Sequence, residues 1–298
     1  PVTVASALEE GVVKDGDTYV CKGFETVADY KLKCHVFSTI GSHGSLTVEQ
    51  ALMNSCNPYM IHLALEMGNS RFAYYQSLFG FGKITGIDLP GETTGIVYGD
   101  RMTTIDAACN SFGQTINVNM MQMMAAYCSI INGGMLYQPH IVKRIESANG
   151  EVVKEYKANL VRQTITASTS KLLRRYLKNT VEEGTAKKAG VTGYSVAGKT
   201  GTAQKGDRKD NKWIISFIGH APAENPKFAI YVVIDEPYGT TGTSGSSADV
   251  LTLTHNILEK LLPYMNVYKD ASDEYEDTSS SPDELTVDGI PAGTASSN

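Results

Sequence analysis

Several features that define other protein classes are missing from this sequence of 298 residues. No stretch of about 18 apolar residues occurs, so we expect no membrane-spanning helix, and no signal peptide opens the chain. Basic charge is not in excess either, since 26 lysines and arginines face 32 acids. Residues 266–298 hold eight acids and one base, which leaves 25 bases and 24 acids elsewhere. We therefore expect no nucleic acid as a partner.

Cysteine is too sparse, at five residues, to build a disulfide scaffold. Three cysteines lie in apolar or helical surroundings and are predicted to be buried thiols: Cys56, Cys109 and Cys128. Cys21 and Cys34 flank a predicted short hairpin or loop, and we interpret them either as unpaired thiols or, outside the cytoplasm, as a disulfide. Metal binding is less favoured because His35 and His43 have no supporting ligand pattern. The sequence thus predicts no metal site and no cofactor.

The hydropathy pattern predicts an α+β domain over residues 1–265. The apolar share of 42% and the charged share of 19% are those of a globular protein. Helical periodicity predicts four main helices, at Val2–Glu10, Asn117–Ile131, Ser168–Glu183 and Ala248–Leu262. Three strands lie late in the chain, at Ala197–Ala203, Trp213–His220 and Phe228–Ile234. We expect an antiparallel sheet flanked by helices, and a disordered acidic tail over residues 266–298.

Two short motifs carry the chemistry. Lys199-Thr200-Gly201-Thr202 places a cation and two hydroxyls on one strand, which suits the carboxylate of a peptide-like ligand. Ser55-Cys56-Asn57 lies far upstream, and its two polar side chains can face one cleft only from a loop, because they would diverge on a helix. Helix capping around Pro58 is the alternative role for these two residues. Together the motifs match two signatures of serine acyl-transfer enzymes that act on D-alanyl peptides and β-lactams.

Further segments follow in a consistent order along the chain: 79–83, 85–92, 111–114, 132–134, 139–140, 183–186 and 197–203. With them, the chain resembles the transpeptidase domain of class B penicillin-binding proteins over roughly Pro1 to Leu262. The resemblance is strongest to the group of stage V sporulation protein D and penicillin-binding protein 2. It implies the α+β fold shared by penicillin-binding proteins and β-lactamases, an antiparallel sheet flanked by helices with a helical subdomain.

The resemblance also implies a function and roles for individual residues. The family cross-links peptidoglycan stem peptides ending in D-Ala-D-Ala by serine acyl transfer and is acylated by β-lactam antibiotics. Ser55 would relay a proton towards the leaving amine, Asn57 would hold the substrate amide, and Lys199 would attract the terminal carboxylate. The substrate-binding strand would be formed by Thr200, Gly201 and Thr202.

The first signature of the family, Ser-x-x-Lys, has no convincing copy, because Ser168 to Lys171 lies in the wrong place. We interpret the abrupt start at Pro1 as truncation just after that motif, and we expect these 298 residues alone to be inactive. By resemblance, the parent protein is anchored at the extracytoplasmic face of the bacterial membrane. A glycosyltransferase of the division or elongation machinery is a further partner that the resemblance implies.

Two alternatives remain at this stage. A β-lactamase or β-lactam sensor has the same fold, although the segments 79–92 and 111–114 argue against it. A non-catalytic scaffold or binding protein that retains the fold is the second alternative. The motifs do not distinguish a role in division, elongation or sporulation.

Overall fold

The computed structural model describes residues 1–206, 212–237 and 246–271. The α-helices in these ranges are α1 (Val2–Glu10), α2 (Val48–Met53), α3 (Asn57–Met67), α4 (Asn69–Leu78), α5 (Thr104–Ser111), α6 (Met120–Ile131), α7 (Ala167–Glu182) and α8 (Ala248–Tyr264). The strands are β1 (Thr18–Cys21), β2 (Phe24–Val27), β3 (Tyr30–Lys33), β4 (Gly44–Thr47), β5 (Met135–Gln138), β6 (Arg144–Glu146), β7 (Val152–Glu155), β8 (Asn159–Gln163), β9 (Ala197–Lys205), β10 (Lys212–Ala221) and β11 (Phe228–Asp235).

The largest sheet is antiparallel, with the strand order β11-β10-β9. Along β10, Ile215 and Phe217 are buried in the same apolar cluster as residues of α8. Ile218 belongs instead to the main core with the helices on the other side of the sheet. This alternation follows the two-residue period of a strand that is covered on both faces. Among the described strands, β9 pairs only with β10, so β9 is an edge strand whose outer side has no strand partner.

The helical part packs around large buried side chains, among them Tyr59, Phe72, Ile130 and Leu173. Four two-stranded sheets surround it, pairing β1 with β4, β2 with β3, β5 with β8, and β6 with β7. Helix α1 is buried along most of its length and ends at Gly11, whose φ of 76° is the left-handed conformation that favours glycine. None of the helices in the described ranges is both long and apolar enough to cross a bilayer.

The four helices and three strands predicted from the sequence are all present, with ends within three residues of the predicted ones. Thr47 caps α2 through a capping box with Gln50, and Asn119 caps α6 through one with Gln122. The turn-forming pair Asn149-Gly150 lies between β6 and β7, which pair as a hairpin. The sequence reading missed α5 and four short strands: β2, β4, β5 and β8. These strands have only four or five residues each, too few for a two-residue alternation to stand out.

The end of the ordered domain lies beyond residue 265. Val267 is buried, and Asp270 accepts a hydrogen bond from the backbone N–H of Ser195 at 2.7 Å. Residues 266–271, which the sequence assigned to the tail, therefore pack against the domain. The rest of the predicted tail, 272–298, lies outside the described residues.

Candidate active site

The first wall of the site is the link between α2 and α3. Helix α2 ends at Met53 and α3 begins at Asn57, so Ser55 and Cys56 lie on the connection, as the spacing of the motif predicted. Ser55 has a φ of 53°, a conformation that non-glycine residues adopt rarely and at some cost in energy. The N–H groups of Ser55 and Cys56 donate to the carbonyls of Leu52 and Ala51, at 3.2 and 2.9 Å. These bonds hold the turn that directs Ser55 away from α2.

The second wall is the edge strand β9. Lys199 is only 9% exposed, and its Nζ donates to Ser55 Oγ. The same Nζ contacts the carbonyl oxygen and the hydroxyl of Thr200, at 3.2 and 3.3 Å. Burial lowers the pKa of Lys199 to about 8. Lys199 is therefore mostly an ammonium at neutral pH, but it gives up its proton far more readily than an exposed lysine.

The segment after α7 joins the two walls. The backbone N–H and the hydroxyl of Thr185 both donate to the Met53 carbonyl, at 3.2 and 3.1 Å. The same hydroxyl lies 3.5 Å from the Thr200 hydroxyl on β9. A Cβ at Gly184 would come within 2.9 Å of the Met53 and Thr180 carbonyl oxygens, so a side chain there would push α2 and α7 apart. This close approach explains why glycine precedes Thr185.

The remaining predicted site residues occupy different positions in this arrangement. Asn57 is the first residue of α3, and its Nδ2 donates to the Lys33 carbonyl at 3.3 Å; no hydrogen bond of the described residues joins it to Lys199. Thr202 is exposed and Thr200 half-buried. A Cβ at Gly201 would meet the Ser216 hydroxyl at 2.6 Å, so the close neighbour of this glycine is a side chain of β10.

The alternative role for Ser55, helix capping, is not what the structure shows. The residue at the cap position of α3 is Cys56, and no side chain makes a capping hydrogen bond there. Ser55 Oγ is bonded to Lys199 instead, across a separation of 144 residues in the sequence. The structure thus brings Ser55 and Lys199 of the two motifs into direct contact.

The start of α1 lies on the same side of the molecule. This end of α1 is buried and lies within electrostatic range of Lys199. Sequence reasoning placed α1 in the site only through the resemblance. The residues themselves indicate only that α1 is buried, because its small and apolar side chains pack into the core.

The thiols lie on the other side of the Ser55 link. Cys21 and Cys34 flank the β2–β3 hairpin as predicted, and both are buried thiols. Their sulfurs lie within 4.8 Å of each other and of Cys56 Sγ and His43 Nδ1. A hydrogen bond between the two thiols lowers the pKa of Cys34 and raises that of Cys56. The disulfide between Cys21 and Cys34 stays a prediction, and no local pattern indicated that Cys56 and His43 join them.

A known protein family matches this chain over most of its length. The pattern of the penicillin binding protein transpeptidase domain matches residues 1–259. The chain belongs to this family. The transpeptidase domain is 39% identical over 272 residues to stage V sporulation protein D of Bacillus subtilis (strain 168), covering 89% of this chain and 41% of that protein. It is 31% identical over 277 residues to the peptidoglycan D,D-transpeptidase FtsI of Escherichia coli (strain K12), covering 91% and 44%.

Solved structures agree on the fold of the transpeptidase domain. Penicillin binding protein 3 of Mycobacterium tuberculosis, in complex with ampicillin, has a TM-score of 0.81 at 28% identity. The match covers 92% of this chain and 62% of that one. The resemblance and the α+β fold expected from the motifs are therefore confirmed. The transpeptidase domain spans less than half the length of the two curated relatives named above.

Proposed function

We propose that this chain is the catalytic domain of a peptidoglycan D,D-transpeptidase, which cross-links stem peptides ending in D-Ala-D-Ala by serine acyl transfer. The observation that carries the proposal is the hydrogen bond from the buried Lys199 ammonium to Ser55 Oγ. A buried lysine without a carboxylate partner is costly, and such a group is typical of a site that binds an anion or moves a proton. Among the residues that the structure describes, the Lys199 ammonium donates only to hydroxyl and carbonyl oxygens.

In the proposed reaction, the oxygen of a nucleophilic serine bonds to the carbonyl carbon of the penultimate D-alanine. The amide bond to the terminal D-alanine breaks, and the serine proton passes to the leaving nitrogen through Ser55. The amino group of a second stem peptide then displaces the serine oxygen, which regains a proton. Lys199 holds Ser55 Oγ at the position of a relay, since Nζ already donates to that oxygen.

The edge strand β9 supplies the proposed binding surface. The Lys199 charge attracts the terminal carboxylate, and the hydroxyls of Thr200 and Thr202 donate to it. The backbone N–H of Thr202 donates to the oxyanion. Gly201 keeps the strand free of a side chain between the two threonines. Asn57, whose amide is oriented by the Lys33 carbonyl, holds the amide of the substrate.

We expect the nucleophile at the N-terminal end of α1, because that end lies beside Lys199. The one Ser-x-x-Lys in the sequence, Ser168 to Lys171, does not fit this role. Ser168 lies exposed in the first turn of α7, and its hydroxyl contacts that of Thr166 at 2.9 Å. The 298 residues alone are therefore proposed to form no acyl-enzyme.

Peptidoglycan lies outside the cytoplasmic membrane, so we place the domain at its extracytoplasmic face. β-Lactams, as mimics of D-Ala-D-Ala, are the proposed inhibitors. A glycosyltransferase of the division or elongation machinery is the proposed protein partner, since cross-linking uses the glycan strands that such an enzyme makes.

Fluorescent penicillin tests the proposal on two forms of the protein. The 298-residue chain should not be labelled, whereas the chain extended before Pro1 by the Ser-x-x-Lys segment of stage V sporulation protein D should be labelled on the added serine. Ser55→Ala should slow this labelling, and the exposed Ser45→Ala on β4 should leave it unchanged.

Stable labelling of the 298-residue chain at one of its own residues would contradict the predicted inactivity. A folded extended chain that stays unlabelled would overturn the transpeptidase proposal. Rapid turnover of nitrocefin by the extended chain would favour a β-lactamase instead.

A further inference from the structure

Four potential metal ligands from separate segments converge beside the Ser55 link. They are Cys21 at the end of β1, Cys34 just after β3, His43 just before β4, and Cys56 directly before α3. The three sulfurs and one imidazole nitrogen all lie within 4.8 Å of one another. In the described part of the chain, this is the one group of His, Cys, Asp and Glu side chains with such close ligand atoms.

Two S···N distances in this cluster are close to those of tetrahedral coordination, and the S···S distances are within 4.8 Å. His43 Nδ1 lies 3.5 Å from Cys34 Sγ and 3.9 Å from Cys21 Sγ. Zinc–sulfur bonds of about 2.3 Å and zinc–nitrogen bonds of about 2.0 Å give S···N edges of roughly 3.5 Å and S···S edges of roughly 3.8 Å in a tetrahedron. Small side-chain movements would therefore bring all four atoms onto one ion.

Backbone N–H groups surround the sulfurs. The Gly23 N–H points at Cys21 Sγ at 3.4 Å. The N–H groups of Val36 and Asn57 face the Cys34 sulfur, and the N–H of Tyr59, in the first turn of α3, faces Cys56. Such donors are the kind of second layer that orients the ligands of a metal site.

The three cysteines are almost completely inaccessible, at 1% exposure for Cys21, 3% for Cys34 and 0% for Cys56. Three buried thiolates would repel one another strongly without a cation between them. A divalent ion removes most of that charge, and thiolate with imidazole is the donor set that zinc prefers. Four protein ligands also leave no open position for substrate, which is typical of a structural site.

We propose that Cys21, Cys34, His43 and Cys56 form a Cys3His site for a structural zinc ion. This reverses the expectation from the sequence, which predicted no metal, and it does not depend on the proposed transpeptidase activity. The ion ties the β1–β4 sheet and the β2–β3 hairpin to Cys56. Because Cys56 is flanked by Ser55 and Asn57, the zinc site fixes the segment that presents both residues.

Metal analysis of the reduced 298-residue chain tests the site without any activity measurement. We expect a single tightly held zinc ion per chain. Replacement by cobalt(II) should give thiolate-to-metal charge-transfer absorption and the visible bands of tetrahedral cobalt. Cys34→Ser and His43→Ala should each weaken zinc binding by at least about 100-fold, since even indirect supports of a metal ligand contribute 10- to 100-fold. Cys109→Ser, a matched thiol outside the cluster, should bind zinc like the unaltered chain.

A second measurement uses the unaltered chain and therefore does not depend on whether the variants fold. Hydrogen exchange at residues 54–58 should slow when zinc is added to the chelator-treated protein and quicken when it is removed again. The proposal is overturned if the reduced, folded chain binds neither zinc nor cobalt, or if His43→Ala binds as tightly as Cys109→Ser. It is equally overturned if the isolated protein carries a disulfide between two of Cys21, Cys34 and Cys56 that persists in the presence of zinc. Unchanged exchange at residues 54–58 on zinc binding would contradict the positioning role of the ion.

Discussion

The two sides of the Ser55–Asn57 segment are built from different chemistry. On one side, Ser55 meets the ammonium of Lys199, a hard cation in a hydroxyl-lined site. On the other, Cys56 meets two further cysteines and a histidine, the thiol and imidazole ligands that suit zinc. The lysine side carries its own positive charge and suits an anionic ligand. The thiol side gathers four potential metal ligands and suits a cation. Residues 55–57 thus connect the proposed catalytic site to the proposed structural metal site.

The two sides also differ in what holds them. The lysine side depends on single hydrogen bonds between long-separated elements, including those from Thr185 to the Met53 carbonyl. The thiol side collects ligands from four segments, so one ion can immobilise all of them. We infer that the segment is held firmly on the thiol side so that Ser55 keeps its strained backbone on the lysine side.

The largest expected effect is the loss of Lys199. In the chain extended by a Ser-x-x-Lys segment, Lys199→Ala should slow acylation by penicillin about 10²- to 10³-fold, because removing one group that stabilises transition-state charge has effects of this size. The rate constant of labelling with fluorescent penicillin measures it. Lys205→Ala provides the control, since Lys205 lies on the same strand but pairs with Asp235 at the surface, at 2.8 Å. Equal rates for the two variants would remove Lys199 from the proposed chemistry.

The second effect concerns the thiol side and is a change in stability. With free zinc at 100 times its dissociation constant, the free energy of unfolding should rise by about 2.7 kcal/mol, because the ion binds the folded state. Urea unfolding of the reduced chain with and without zinc measures this rise. Cys109→Ser should show the same rise, and His43→Ala should show at most about 0.4 kcal/mol, because its zinc affinity is at least about 100-fold lower. A rise in His43→Ala as large as that of the unaltered chain would place the ion elsewhere.

The lysine side was predictable from the sequence, whereas the thiol side was not. Ser55, Asn57 and Lys199 lie in short motifs whose spacing already indicates a loop and a strand. Cys21, Cys34, His43 and Cys56 are separated by 13, 9 and 13 residues, without the paired spacing of common zinc motifs. Only the β1–β4 pairing, which was not predicted, brings His43 next to Cys21. Long-range pairing of short strands decides this cluster, and local patterns do not encode it.

A third effect is the pH dependence of acylation. Burial lowers the pKa of Lys199 to about 8, so the ammonium is present below that pH and is lost as the pH rises through it. If the charge attracts the carboxylate, the second-order rate constant of the extended chain should fall about tenfold per pH unit well above 8. Lys199→Arg should lose this descending limb, because a guanidinium stays charged in this range. A limb that persists in Lys199→Arg would belong to another group.

The smallest effect tests the bridge between the lysine side and the end of α2. Thr185→Val removes the hydroxyl that donates to the Met53 carbonyl and contacts Thr200, while the backbone N–H of residue 185 still donates to Met53. Because one of two donors remains, we expect a loss of only about 1 kcal/mol in the free energy of unfolding. Thr252→Val is the control, since its hydroxyl donates to the Ala248 carbonyl on the exposed face of α8. If Thr185→Val slows acylation by penicillin by more than its loss of unfolding free energy accounts for, the Thr185 hydroxyl sets the distance between Ser55 and Lys199. If Thr185→Val and Thr252→Val lose equally little unfolding free energy and acylate at equal rates, the Thr185 hydroxyl has a structural role alone.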